Sequence, residues 1–180
     1  MILYHFTSLG HVPLILRHGG LEKGGVMVGE EGEQNLNATW LTTDPSPEHE
    51  YGLGFGQLIL LPEQFREKGD KPWTECVDKR AVRISVKIPS HDRKLKHWIM
   101  WIQGRLGKAM LDWYIEDGGG RQRAEKWYIY QGLIPRSSFL KIEIRGNRNQ
   151  WVEATEEQLD SIRPHEAKRS YYVEPAPAEH

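Results

Sequence analysis

The segment Val82–Ile88 alternates without a break: Val82, Ile84, Val86 and Ile88 are apolar, and Arg83, Ser85 and Lys87 between them are polar. Successive side chains on a strand point to opposite faces, so this pattern requires a half-buried β-strand. A chain holding such a strand must bring others to it. The candidates are Ile2–Phe6, Thr39–Thr43, the apolar run Leu58–Leu61, Glu125–Tyr130, and Phe139–Arg145 with Leu140, Ile142 and Ile144 facing inward. In the first of these, Leu3, His5 and Thr7 share one face and Ile2, Tyr4 and Phe6 the other.

Helical signals lie between the strands. Pro13 suits the first position of a short helix ending near Arg17, and Gly19–Gly20 supplies a left-handed stop. Residues 22–37 are polar and glycine-bearing and read as a loop. Asp44-Pro45-Ser46-Pro47 breaks the strand Thr39–Thr43 and caps a short helix carrying Glu48–Leu53. Ser90 is a candidate N-cap, and residues 92–116 form the longest expected helix, with Leu95, Trp98, Ile99, Ile102, Leu106, Met110 and Tyr114 at helical spacing. Gly104 and Gly107 weaken its middle. Its charged side, including Arg93, Lys94, Lys96, Arg105 and Lys108, reads as a solvated face. Thr155 to Gln158 spells a capping box for a last helix before Pro164. The sum is a mixed α+β chain, with one domain over 1–150 and a C-terminal helix and tail over 151–180.

The composition narrows the class. In 180 residues, 38% are hydrophobic and 27% charged, with a formal net charge of −1. No apolar run approaches the ~20 residues needed to cross a bilayer, and MILYHFTS lacks the basic flank of a signal peptide, so a cytoplasmic protein is expected. Cys76 is the only cysteine, which excludes an internal disulfide and a zinc site built on several thiolates. His5, His11 and His18 do not have a usual zinc spacing, so no metal is expected. The near-neutral charge argues against whole-surface binding to nucleic acid but leaves room for a local basic face.

The stretch RQRAEKWYIY, Arg121–Tyr130, follows the three glycines Gly118–Gly120. It sets a carboxylate, Glu125, at the mouth of an aromatic strand, where it would share a face with Trp127 and Ile129. Placed beside an apolar wall, such a group can meet a cation that forms transiently. His5 on the first strand and Tyr51 after TWLTTDPSP are the other side chains that packing explains poorly. There is no G-x-S-x-G, no P-loop, and no G-x-G-x-x-G opening a helix after a strand.

The order of these three carries a resemblance. LYHFTSLGHVPLILRHGGL resembles the first strand and helix of ADP-ribosyltransferases, especially the DNA-targeting toxin branch, where a YH-x-T strand precedes a Pro-capped helix ending in Gly-Leu. WLTTDPSPEHEY, Trp40–Tyr51, is similar to the second block of poly(ADP-ribose) polymerase-like members. EKWYIYQGLIPRSSFLKIEI resembles the third block, with its glutamate, Ile-Pro turn and closing strand. The resemblance covers roughly residues 1–145 in three short blocks.

It implies a split β-sandwich of two small antiparallel sheets with flanking helices and an NAD cleft between the sheets. It further implies a His5, Tyr51, Glu125 triad. Tyr51 would stack on the nicotinamide, with Tyr4 or Trp40 as its second face. The Phe6 backbone would grip the carboxamide, His5 a ribose hydroxyl, and Thr7 and Thr42 would orient the dinucleotide. Glu125 would hold the ribose 2′-hydroxyl and offset positive charge at C1′. Two positions depart from the family pattern: Phe6 stands where polymerase-like members commonly have glycine, and Arg123 where members acting on protein side chains have a glutamate or glutamine. With Arg121 and Lys126, Arg123 gives a basic rim suited to a nucleic-acid acceptor over a protein one. The expected activity is mono-ADP-ribosyl transfer from NAD, as a toxin or phage effector that can have an antitoxin partner. The alternatives are an NAD-dependent RNA 2′-phosphotransferase, an NAD glycohydrolase, and a catalytically silent binding module.

Overall fold

The structure is a computed structural model that describes residues 1–24, 27–28, 34–35, 37–46, 58–60, 73–75, 79–117, 120–146 and 150–162. Along the chain, β1 (Ile2–Thr7) leads into α1 (Val12–Arg17), the short strands β2 (Gly20–Leu21), β3 (Met27–Val28) and β4 (Gln34–Asn35), then β5 (Thr39–Thr42). Next come β6 (Leu58–Leu60), β7 (Trp73–Glu75), β8 (Val82–Lys87), β9 (Leu95–His97), α2 (Trp98–Ile102) and α3 (Lys108–Asp117). The chain continues through α4 (Arg121–Ala124), β10 (Trp127–Tyr130), β11 (Ile134–Pro135), β12 (Phe139–Arg145), β13 (Trp151–Glu153) and α5 (Glu156–Ser161).

The alternating segment forms a strand as its pattern requires, and antiparallel neighbours flank it on both sides. The chain is mixed α+β, carried by one seven-stranded antiparallel sheet in the order β13-β12-β8-β1-β5-β10-β9. Among the described residues, three two-stranded ribbons, β11–β2, β3–β4 and β6–β7, are not hydrogen-bonded into it. Two small sheets were the expectation, whereas β1 and β5 join the two halves into one sheet. The join is narrow. β1 and β8 run in register over six pairs, from Ile2 opposite Lys87 to Thr7 opposite Val82, while β1 and β5 are in register at one, Tyr4 opposite Thr42.

Both faces of the sheet are packed. Leu3, Leu41, Val82, Ile84, Val86 and Ile142 form one core, closed by Val12 of α1 and Leu159 of α5. On the other face, Ile129 of β10 meets Trp98, Ile99 and Ile102 of α2, Ile115 of α3 and Ala124 of α4. Each aliphatic side chain fully buried in this way stabilises by roughly 1.5–3 kcal/mol. Because β13 extends the sheet and Leu159 enters the core, residues 151–162 are integral to the fold.

Several local features differ from the sequence reading. The expected helix over 92–116 is divided: Leu95–His97 is an edge strand pairing with β10, α2 ends at Ile102, and α3 starts at Lys108 beyond Gly104 and Gly107. Pairing with β10 satisfies main-chain groups that the sheet would otherwise leave open, and this outweighs helical spacing in the side chains. Leu140 faces outward, 46% exposed, because the β12–β8 register shifts between Phe139 and Lys141. The additional residue of such a bulge turns the side chains that follow it. The loop reading of 22–37 gives way in part to the β3–β4 ribbon. The expected helix over Glu48–Leu53 lies outside the described residues, as do Cys76 and the tail from 163. Pro13 stands at the start of α1, Gly19 closes it at φ +75°, and the capping box of α5 forms through Thr155 and Gln158 as expected.

Candidate active site

His5 lies near the middle of β1 on the Leu3 face, half-buried, and its Nδ1 is 2.9 Å from the Trp40 carbonyl oxygen on β5. A carbonyl only accepts, so Nδ1 carries the proton and Nε2 of the neutral ring keeps a lone pair. Burial pushes the imidazole pKa down to about 4; the Trp40 bond opposes this, and Lys79 and His11 nearby reinforce it. At neutral pH the side chain is therefore an uncharged acceptor at Nε2.

Glu125 is not on the aromatic strand. It closes the helical turn α4, its φ of −66° and ψ of −15° are helical, and its N–H donates to the Arg121 carbonyl at 3.0 Å. The strand starts two residues later, at Trp127. This corrects the sequence expectation, and the physical reason is local: the turn from Gly120, at φ +91°, starts a helical ring of hydrogen bonds that runs through Glu125 before the chain extends. The carboxylate is exposed and pairs with Arg121 Nε at 3.3 Å. Its main chain is held from both sides. The Glu125 carbonyl accepts from His97 Nε2 at 2.8 Å, and the Lys126 carbonyl accepts from the Thr43 N–H at 3.0 Å.

The three sequence blocks supply three adjacent strands. Tyr4 of β1 stands opposite Thr42 of β5, and Thr42 opposite Trp127 of β10, so the three form one row across the sheet. His5 follows Tyr4 by one residue and Glu125 precedes Trp127 by two. Their strands are two spacings apart, about 10 Å laterally. Tyr51 lies outside the described residues.

The remaining candidates are placed as follows. The Tyr4 ring lies under the Arg83 guanidinium, 5.5 Å from centroid to Cζ, and Phe6 packs on Trp151 at 5.8 Å. Trp40 is held between Trp98 at 4.4 Å and Trp127 at 5.8 Å, as part of the second core. Thr7 and Thr42 are buried, and Thr42 Oγ1 accepts from the Asp44 N–H at 3.0 Å. Of the expected basic rim, Arg121 pairs with Glu125 and Lys126 with Asp44, the latter at 3.1 Å; Arg123 is half-buried. The rim is therefore largely neutralised by its own carboxylates.

Two groups were not visible in the sequence reading. Arg83 is stacked between Tyr4 and Trp151, bonds Glu143 at 2.8 Å, and reaches the Pro45 carbonyl. It read only as the polar half of an alternation, because its partner Glu143 is distant in sequence. His97 fell inside the supposed long helix, and nothing local marked it as a neighbour of Glu125.

Among the described residues no group of three or more His, Cys, Asp or Glu is placed to hold a metal ion, and no helix is long and apolar enough to cross a membrane. No family model matches the chain, and no curated protein or solved structure matches it either.

Proposed function

We propose that the chain is a mono-ADP-ribosyltransferase with NAD as its substrate and a macromolecule, nucleic acid over protein, as its acceptor. The observation that carries this reading is the adjacency of β1, β5 and β10. Three blocks far apart in sequence, bearing His5, Trp40–Thr42 and Glu125, occupy neighbouring strands. The narrow β1–β5 seam supports the split arrangement: two half-sheets, β13-β12-β8-β1 and β5-β10-β9, with the dinucleotide cleft along their junction.

The donor set fits such a substrate. A neutral imidazole with Nδ1–H committed to Trp40 presents Nε2 to a ribose hydroxyl, which donates to it. An exposed carboxylate on a pinned main chain can accept the 2′-hydroxyl of the other ribose. In the reaction the C1′–N bond breaks, the electron pair leaves with nicotinamide, and C1′ gains positive charge much as in glycoside hydrolysis. Glu125 offsets that charge, which is worth roughly 3–4 kcal/mol for one well-aimed group. An acceptor oxygen or nitrogen then bonds to C1′ and gives up its proton. For this to happen the exposed ion pair with Arg121 must open, which costs under ~1 kcal/mol.

Arg123 two residues before Glu125 supports nucleic acid over a guanidinium or amide acceptor, since a cation there repels the first and lacks an acceptor for the second. Incubating the protein with NAD labelled in the adenylate, together with single-stranded DNA, RNA or a protein extract, tests the reading. Label on DNA or RNA supports it. Free ADP-ribose alone would make the protein a glycohydrolase, and NAD binding without nicotinamide release would make it a silent module.

A further inference from the structure

We propose that His97 is a positioning residue for Glu125, acting through the main chain; this rests on the transferase reading above. His97 is the last residue of the edge strand β9, directly opposite Tyr128 of β10. Its ring meets the Tyr128 ring edge-on, with centroids 5.1 Å apart at 84°, which fixes the imidazole plane. From there Nε2–H donates to the Glu125 carbonyl at 2.8 Å.

The other nitrogen, Nδ1, is buried and has no hydrogen-bond partner among the described residues. Buried polar atoms are nearly always paired, and an unpaired one is destabilising. This ring directs its one bond to the residue that carries the candidate acid.

The placement explains the consequence. Glu125 sits where a helical turn becomes a strand, a junction whose peptide plane can tilt. Thr43, the residue after β5, pins the Lys126 carbonyl on one side of the entry to β10, and His97 from β9 pins the Glu125 carbonyl on the other. Without His97 the Thr43 bond keeps the strand paired, while the Glu125 peptide loses its outer tether. A carboxylate that must meet a sugar hydroxyl is sensitive to displacements of about 1 Å, which are worth roughly 10²-fold in rate.

The test compares wild type, His97→Leu and His97→Gln, with Glu125→Gln as the control. His97→Leu removes the donor, and the amide nitrogen of His97→Gln reaches close to the position of Nε2. The expected result is a kcat loss of about 10–100-fold for His97→Leu, partial recovery in His97→Gln, and a KM for NAD within about twofold throughout. The Lys126 amide resonance, next to the tethered carbonyl, should move in His97→Leu and return in His97→Gln. Unchanged kcat in His97→Leu overturns the proposal, and so does a lowered Tm with kcat intact. If Glu125→Gln keeps full turnover, the transferase assignment of the site is what fails. If Glu125→Gln is inactive and His97→Leu is not impaired, only the positioning role fails.

Discussion

His5 Nδ1 donates to the Trp40 carbonyl across 2.9 Å, and this side-chain bond spans the seam where β1 and β5 are in register only at Tyr4 and Thr42. The imidazole thus takes over work that a longer ladder would do with main-chain groups. It does so as a neutral ring, because burial holds its pKa near 4.

That depression makes stability depend on pH. The folded-state pKa of about 4 lies below the ordinary 6.5, so the native state binds fewer protons than the unfolded chain between those values. The contribution is complete above pH 6.5 and is lost as pH falls toward 4. At ~1.4 kcal/mol per unit, and discounting for a ring that is not wholly enclosed, about 2 kcal/mol is involved. His5→Asn keeps an N–H donor near Nδ1 and does not titrate. Urea unfolding at several pH values is expected to show a wild-type decline across this window that is flattened in His5→Asn.

The pattern of what the sequence disclosed follows from range. Val82–Lys87, the Pro13-started α1 and the Thr155–Gln158 box depend on neighbours a few residues away, and all three formed as read. Leu95–His97 had helical spacing and became a strand because β10 needed an edge partner. Leu140 turned outward through a register shift that no local pattern encodes. At the site, the row Tyr4–Thr42–Trp127 gives spatial meaning to three blocks that the sequence could only order. The sequence pattern puts Glu125 on the strand, whereas it closes the turn before it, and its tether to His97 depends on contacts between segments distant in sequence.

Arg83 and Glu143 form a largely buried pair at 2.8 Å, each side chain 11% exposed, with the guanidinium 4.6 Å from the Trp151 ring and 5.5 Å from that of Tyr4. Removing one member leaves an uncompensated charge, so Arg83→Met should destabilise by about 3–5 kcal/mol. Adding Glu143→Leu removes the orphaned carboxylate and should restore most of that loss. Equilibrium unfolding of the single and double variants measures the difference.

Gly19 and Gly20 end α1 for different reasons. Gly19, at φ +75°, has open space where a Cβ would be, so Gly19→Ala meets only backbone strain of about 1 kcal/mol. A Cβ on Gly20 would overlap the Ile134 carbonyl of the paired strand β11. Gly20→Ala must push β2 and β11 apart, with an expected loss of at least ~3 kcal/mol. Thermal unfolding should rank the two variants in that order.

The central claim is that Glu125 stabilises charge at the ribose of NAD. Glu125→Gln preserves size and hydrogen bonding while removing the negative charge. Nicotinamide release from NAD, measured for wild type and Glu125→Gln under saturating substrate, tests it directly. Wild type is expected to release nicotinamide and the variant to do so about 10²–10³-fold more slowly, with the fold unchanged by circular dichroism. Equal rates in the two proteins, or no release by wild type in the presence of DNA, RNA and protein acceptors, would contradict it.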